Sequence, residues 1–260
     1  MKKTALVTGA SGGIGFEFAR IFARNGYNLV LVARSAEKLD ALKIQLEKEF
    51  SVQCLVVPCD LSVLAEVREL IEQIRKSGVT VDVLVNNAGF GDYGFFTETS
   101  WEKELQMINL NITALTCLSK EYAQQMSLRK EGKILNVAST AAFLPGPLMA
   151  VYYATKAYVL SFTEALANEL GGTGVTVTAL CPGPTESGFQ AIADIGETKL
   201  VKGKKLVSSR EVAEFGYSAL MKGKRVVIPG FMNKLQVFAV RILPRKLITA
   251  TVRSISEKAG

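Results

Sequence analysis

The chain has 260 residues, 48% hydrophobic and 21% charged, with 31 Lys and Arg against 24 Asp and Glu. Such a length and mix suit a folded globular chain burying about 70% of its surface, and the formal charge of +7 suggests an anionic partner without saying which. No histidine is present, which excludes Ser-His-Asp and Cys-His nucleophile systems, H-E-x-x-H metalloproteases and His-ligated zinc or haem. Proton transfer near neutral pH then falls to Tyr, Lys, Asp, Glu or Cys, and no metal site is expected.

The N-terminal Met1-Lys2-Lys3 imitates the basic front of a secretory signal, but the apolar run behind it stops at Thr8-Gly9, so Thr4 to Thr8 reads as a buried strand. Further Val- and Leu-rich runs lie at Leu29 to Ala33, Gln53 to Val57, Val83 to Val85, Lys133 to Val137, Val175 to Leu180 and Val226 to Ile228. Strands apolar on both faces, alternating with amphipathic stretches, predict an α/β fold with a parallel sheet covered by helices. Helix punctuation agrees: Asn25-Gly26 closes the first helix, Ser62 caps the third, Ser100 the fourth, and Ser208 or Ser209 the last. No linker or repeat divides the chain, which predicts one domain over residues 1–260. Cys54, Cys59, Cys117 and Cys181 show no C-x-x-C spacing and are too sparse for a disulfide scaffold, so a reducing, cytoplasmic setting is expected. No eighteen apolar residues run together to span a membrane.

Between the first strand and the first helix stands Thr8-Gly9-Ala10-Ser11-Gly12-Gly13-Ile14-Gly15. Glycines in such a turn let the backbone approach a pyrophosphate and let the helix pack close to the sheet. The spacing fits both G-x-x-x-G-x-G and G-x-x-G-x-x-G. The second strand ends in Val32-Ala33-Arg34, which offers no acid for a ribose 2′-hydroxyl and one guanidinium for a 2′-phosphate. NADP(H) is therefore expected over NAD(H), although Arg34 is also what a solvated helix start would carry. Asp60, followed by Leu61, is either an adenine contact or a turn-capping aspartate. Asn86-Asn87-Ala88-Gly89 ends the fourth strand, where a parallel sheet presents ligands, and it is equally a plain turn signal.

Tyr152 and Lys156 share a helical face in a helix running to about Leu170. A protonated Lys beside a phenol would bring the Tyr pKa from about 10 toward neutrality. Ser139, at the end of the fifth strand, can converge with Tyr152 on one substrate oxygen and stabilise developing negative charge. Separately, each is common: a structural Tyr, an exposed Lys, a loop hydroxyl.

Together, T-G-A-S-G-G-I-G, C-D-L, N-N-A-G, I-N-L at Ile108 to Leu110, Ser139, Y-Y-A-T-K and Cys181-Pro182-Gly183-Pro184-Thr185 resemble the short-chain dehydrogenase/reductase family, in its shorter single-domain branch. The resemblance implies a Rossmann-type doubly wound parallel sheet with helices on both faces, a nicotinamide cofactor, and hydride transfer to or from a carbonyl or alcohol carbon. It implies Tyr152 as acid/base, Ser139 as the carbonyl-polarising hydroxyl, Lys156 as ribose ligand that depresses the Tyr pKa, and Asn109 as holder of a proton-relay water in a bent helix. It further implies cofactor contacts along Gly9 to Gly15, at Asp60, Leu61, Asn87, Ala88 and Gly89, and at Pro182, Gly183 and Thr185, with Asn87 and the Pro182 to Thr185 segment lining the nicotinamide pocket. Gly12 stands where Ser is frequent, and Ser187 where Thr is. Homodimers or homotetramers are usual among such proteins.

Residues 187–210 would form a substrate loop, with Phe189, Ala191, Ile192, Ala193 and Ile195 covering an apolar ligand. The run Phe143 to Met149 resembles hydroxysteroid and 3-ketoacyl reductases, which implies a hydrophobic ketone or acyl carbonyl. Residues 199–260 hold 14 basic and 3 acidic side chains. Over residues 229–260 this basicity interleaves with Phe231, Leu235, Phe238, Ile242 and Leu247, predicting amphipathic helices broken by Pro244. They would cap the pocket, pack at a subunit interface, or contact an anionic membrane or an acidic acyl carrier. The alternative from another class is a non-catalytic NADP-binding sensor or scaffold; no recognition motif supports nucleic-acid binding.

Overall fold

A computed structural model of the protein describes residues 2–259. Seven strands form one parallel sheet: β1 (Thr4–Thr8), β2 (Asn28–Ala33), β3 (Cys54–Pro58), β4 (Val83–Asn86), β5 (Gly132–Val137), β6 (Val175–Leu180) and, after a two-stranded ribbon of β7 (Thr185–Glu186) and β8 (Val207–Ser208), β9 (Val226–Val227). Their order is β3-β2-β1-β4-β5-β6-β9. The chain thus winds outward from β1 in one direction and from β4 in the other. Beyond the carboxyl ends of β1 and β4 lies the crevice that such a reversal leaves.

Both faces of the sheet are buried, which is why the strands are apolar throughout. On one face Phe18 and Phe22 of α1 (Gly13–Arg24), Leu39 and Leu42 of α2 (Ala36–Phe50), and Val212 and Leu220 of α8 (Ser209–Met221) pack against alternate strand residues. The other face receives Val67, Leu70 and Ile74 of α3 (Leu64–Lys76) and Leu118, Tyr122 and Met126 of α5 (Leu115–Arg129). The chain is therefore a doubly wound Rossmann-type domain. Helix α4 (Trp101–Ile108) runs into α5 through a π-helical stretch, Asn109–Ala114. Helix α6 (Ala150–Glu169) lies against β6, the short α7 (Phe189–Ile192) follows the ribbon, and α9 (Phe231–Val240) and α10 (Arg245–Ser256) close the chain.

Helix starts match their expected caps with one exception. Ser100 accepts from Lys103 N–H, and Ser208 forms a full capping box with Glu211, though α8 is followed by two more helices. Ser62 does not cap α3: its hydroxyl donates to Asp60 Oδ1 at 2.7 Å, and Val63 occupies the N-cap. The hydroxyl is turned toward the Asp60 carboxylate and away from the first turn of α3. The four cysteines are free thiols; burial pushes Cys54, Cys59 and Cys181 up to about 12, far from thiolate chemistry. Among the described residues no helix is long and apolar enough to cross a membrane, and no His, Cys, Asp or Glu cluster could hold a metal ion.

A chain of buried polar side chains joins the sheet to its covering helices. Asn86 Nδ2 donates to Asn136 Oδ1 (2.9 Å) and Ser119 Oγ (3.0 Å), and Asn136 Nδ2 donates to Thr163 Oγ1 (3.0 Å). Asn136 is fully buried, so its loss strips partners that water cannot replace. Asn136→Ala should destabilise the fold by about 2 kcal/mol, read as a Tm lower by roughly 4–8 °C; an unchanged Tm in thermal unfolding would show the network to be dispensable.

Candidate active site

The glycine turn is built from β1 outward. Gly9 takes φ +67°, a conformation that L side chains rarely adopt. Gly15 is required by proximity: a Cβ there would lie 2.2 Å from Gly9 O and 2.4 Å from Asn87 Nδ2. The first turn of α1 therefore rests on the Gly9 peptide. No side chain caps α1 and no acid stands in its first turn, so its leading N–H groups and positive dipole end remain available to an anion. Ala10 N–H donates to Val32 O at 3.2 Å, which fixes the turn beside the end of β2. Arg34 emerges there, two residues on and exposed. This is a cradle shaped for a dinucleotide pyrophosphate, with a guanidinium at its rim.

Asn87 serves this cradle. Its Nδ2 donates to Thr8 O (2.9 Å) and Gly9 O (3.4 Å), while Thr8 Oγ1 accepts from Asn87 N–H (2.9 Å) and Ala88 N–H (3.0 Å). Its amide nitrogen is thus engaged in the glycine turn. Asp60 realises the turn reading, since its Oδ1 accepts from both Ser62 N–H and Ser62 Oγ. Leu61 is buried beside it.

The reacting groups gather where β4, β5 and β6 end. Ser139 sits at the start of a short 3₁₀ turn, Thr140–Phe143; its hydroxyl accepts from Ala141 N–H (3.1 Å) and lies 3.4 Å from Pro182 O. Pro182 O also accepts from Thr140 N–H (2.8 Å), which ties the segment after β6 to the end of β5. Next along it, Thr185 Oγ1 donates to Gly183 O (2.9 Å). From α6, Tyr152 and Lys156 point into the same space, with Lys156 Nζ 5.9 Å from the Tyr152 ring centroid and donating to Val137 O at 2.9 Å.

Asn111, and not Asn109, joins them. Asn109 is half-buried with no side-chain hydrogen bond among the described residues, whereas Asn111 is buried in the π-helical stretch. Asn111 Nδ2 donates to Phe90 O and Thr155 Oγ1 (3.0 Å each), and its Oδ1 accepts from Phe90 N–H (3.2 Å). A Cβ on Gly89 would meet both Asn111 Oδ1 and Lys156 Nζ, so Gly89 leaves room for this pair. Asn111 and Thr155 are the residues that motif spacing missed. Thr155 stood inside the motif Y-Y-A-T-K, and Asn111 follows directly on I-N-L.

Electrostatics depart from expectation in one respect. Burial pushes the Tyr152 phenol well above its ordinary value; a hydrogen bond with Ser139 opposes this in part, and Tyr153 adds to it. Burial lowers the lysine itself to about 8, and its ammonium donates to Val137 O. Tyr152 is consequently a phenol, a proton donor, across the neutral range.

Around it lie Met107, Met149, Phe189, Ala193, Ile195, and Ile248 and Val252 from α10. The Phe189 ring centroid is 5.2 Å from that of Tyr152. Ile192 is exposed and takes no part in this lining. A cleft of about 410 Å³ lies not at Tyr152 but between the Tyr93–Phe95 loop and the end of α10, at Arg253 and Lys258. A tight space of about 10 Å³ reaches Tyr152 and shares Gly94 and Leu148 with that cleft.

The fold and this constellation match a known class. The short chain dehydrogenase sequence profile matches residues 3–196. The chain therefore belongs to the short-chain dehydrogenase/reductase family of oxidoreductases, whose members bind a nicotinamide cofactor. It is 33% identical over 187 residues to very-long-chain 3-oxoacyl-CoA reductase-A of Danio rerio, covering 69% of this chain and 57% of that protein. Among solved structures it resembles a short-chain dehydrogenase from Sphingobium yanoikuyae in complex with NADPH (32% identity, TM-score 0.84, 94% of each chain). It also resembles a family member from Burkholderia phymatum in complex with NAD (25% identity, TM-score 0.81, 91% of this chain and 92% of that one).

The two asparagines separate cleanly by experiment. Asn111→Ala leaves Phe90 N–H and C=O unpaired beside Lys156 and should lower turnover about 10²-fold, while Asn109→Ala should leave it close to wild type. Steady-state kinetics on both variants check this; the reverse ranking would return the role to Asn109.

Proposed function

We propose that the protein is an NADPH-dependent reductase of a hydrophobic ketone or acyl carbonyl, acting through Ser139, Tyr152, Lys156 and Asn111. One observation carries the reading: a buried Tyr152, with Lys156 beside its ring and Ser139 at the end of β5, stands at the carboxyl edge of the sheet beside the glycine cradle. The residues fit the cofactor. Gly9 to Gly15 would hold the pyrophosphate, Lys156 the ribose near the nicotinamide, and Pro182, Gly183 and Thr185 the ring's surroundings. Asp60, Leu61, Ala88 and Gly89 would border the adenine side and the floor between the two halves.

A bound nicotinamide supplies the hydride. The chain's own residues govern the proton. Ser139 Oγ and the Tyr152 phenol both donate to the substrate oxygen, so the negative charge developing there meets two hydrogen-bond donors in a site shielded from water. Tyr152 then gives up its proton to that oxygen, and the carbonyl becomes an alcohol. Lys156 stabilises the phenolate left behind, and Asn111, with its bond to Thr155, takes the relay position first assigned to Asn109. Apolar lining from Met107, Met149, Phe189 and Ile248 supports a hydrophobic substrate, as does the likeness to a 3-oxoacyl-CoA reductase. NADPH over NADH rests on Arg34 and on the missing acid at the end of β2. Assembly as a homodimer or homotetramer belongs to the same reading; exposed Leu128 on α5 and Tyr158, stacked on Phe162 of α6, offer an apolar face for it.

Tyr152→Phe should cut NADPH-dependent reduction by about 10²–10⁴-fold with cofactor affinity retained, measured as NADPH oxidation across aliphatic ketones, 3-ketoacyl thioesters, steroids and sugars. Full residual activity, or turnover of sugars alone, would sink the assignment. Arg34→Glu removes charge-assisted bonds worth about 1.5–3 kcal/mol, so the NADPH-to-NADH preference in kcat/KM should fall roughly 10- to 100-fold. Equal use of both cofactors by the unaltered protein would remove Arg34 from the site.

A further inference from the structure

Helix α9 has two apolar faces and only one of them is covered. Asn233, Val237 and Val240 turn toward the body, where Asn233 lies against Gly183 and Val240 packs on the cluster around Tyr152. On the opposite side Phe231, Leu235, Phe238 and Ile242 fall at i, i+4, i+7 and i+11, a single stripe, and their exposures are 78%, 49%, 59% and 69%. Leu243 and Leu247, also exposed, extend the apolar surface across the Pro244 break into α10. Aqueous surfaces rarely carry so many large apolar side chains together without a partner.

Charge identifies the partner. From Phe215 to Ser256 the chain contains eight Lys and Arg and no Asp or Glu. Lys234 and Arg241 flank the stripe along α9, and Arg245 and Lys246 open α10; all four are exposed and none is paired within the described residues. A symmetric second copy on this face would set cation against cation, at a cost in affinity. An apolar stripe bordered by cations instead has the layout of a helix that lies in the headgroup region, its apolar side chains about 5–10 Å deep and its ammonium and guanidinium groups at the phosphates.

We propose that α9 and the start of α10 dock the protein onto the surface of an anionic lipid bilayer. The inner face of α10, through Ile248 and Val252, covers the apolar pocket around Tyr152. The docking surface and the pocket cover are thus the two sides of one element. The proposal goes beyond the reductase reading and does not depend on it.

The test uses the full chain and vesicles of phosphatidylcholine alone or mixed with phosphatidylglycerol. The protein should sediment with the mixed vesicles, less so as salt is raised, and weakly with phosphatidylcholine alone. Leu235→Asp with Phe238→Asp should reduce binding about tenfold or more, and Lys234→Glu with Arg241→Glu should do the same. Both double variants should keep the wild-type Tm and, toward a water-soluble ketone, the wild-type turnover. No sedimentation with mixed vesicles, equal binding to both lipids, or wild-type binding by both variants would overturn the proposal. So would a self-association, seen by analytical ultracentrifugation without lipid, that the Leu235→Asp and Phe238→Asp pair abolishes. Saturable binding to an acidic carrier protein in place of vesicles would overturn it as well.

Discussion

In a doubly wound sheet the strands part company at their carboxyl ends, and the backbone groups exposed there must find partners other than a neighbouring strand. Here side chains supply them. Thr8 and Asn87 bind β1 to the residues after β4, Asn86 and Asn136 bind β4 to β5, and Ser139 with Thr140 binds β5 to the segment after β6. The crevice stays open for a ligand because these bonds hold its walls without filling it. The glycine turn, Asn87, Ser139 and the Pro182 segment hang from this row of polar ties.

The same edge explains how a chain without histidine arranges an acid. Burial in the apolar cluster raises the phenol and lowers the lysine, so Tyr152 stays protonated and Lys156 stays close to its titration midpoint near pH 8. The two shifts have one cause, the removal of water from a pair of groups whose charged forms it would favour. Ser139 and Val137 O then supply directional contacts, one to each partner. The protonation state of Tyr152 thus depends on packing by Phe189, Met149 and α10 as much as on its neighbours' charges.

The sheet was legible because its strands are buried on both faces, and burial leaves a continuous Val and Leu signature that no helix stripe imitates at that length. All seven predicted strands lie in it, within a residue or two of their expected ends. Legibility failed where neighbours in sequence compete for one place. Asn109 and Asn111 are two residues apart and so project to different sides of a helix. The widened π turn between α4 and α5 decides which enters the site, and nothing in I-N-L-N announces that turn. Ser62 and Val63 competed likewise at the start of α3, and the Asp60 carboxylate settled it by engaging the hydroxyl. Spacing likewise reveals the charge of Lys156 beside Tyr152 and conceals the depth of burial, which acts on the phenol in the opposite direction.

The C-terminal region raised three alternatives in the sequence, a pocket cap, a subunit interface and a contact with an anionic surface, and the fold shows why periodicity could not choose among them. An ordinary amphipathic helix has one apolar face, whose burial accounts for it. Helix α9 has a second apolar stripe, and α10 buries Ile248, Val252 and Ser256 while leaving Leu247 exposed beside its leading cations. Capping the pocket and meeting an external surface are therefore not rivals. They occupy opposite faces of the same two helices. The cations of these helices and of the residues after them divide accordingly: none enters the apolar cluster over Tyr152, where it would be desolvated without a partner, Lys234, Arg241, Arg245 and Lys246 border the outer stripe, and Arg253 and Lys258 stand at the cleft beside the Tyr93–Phe95 loop.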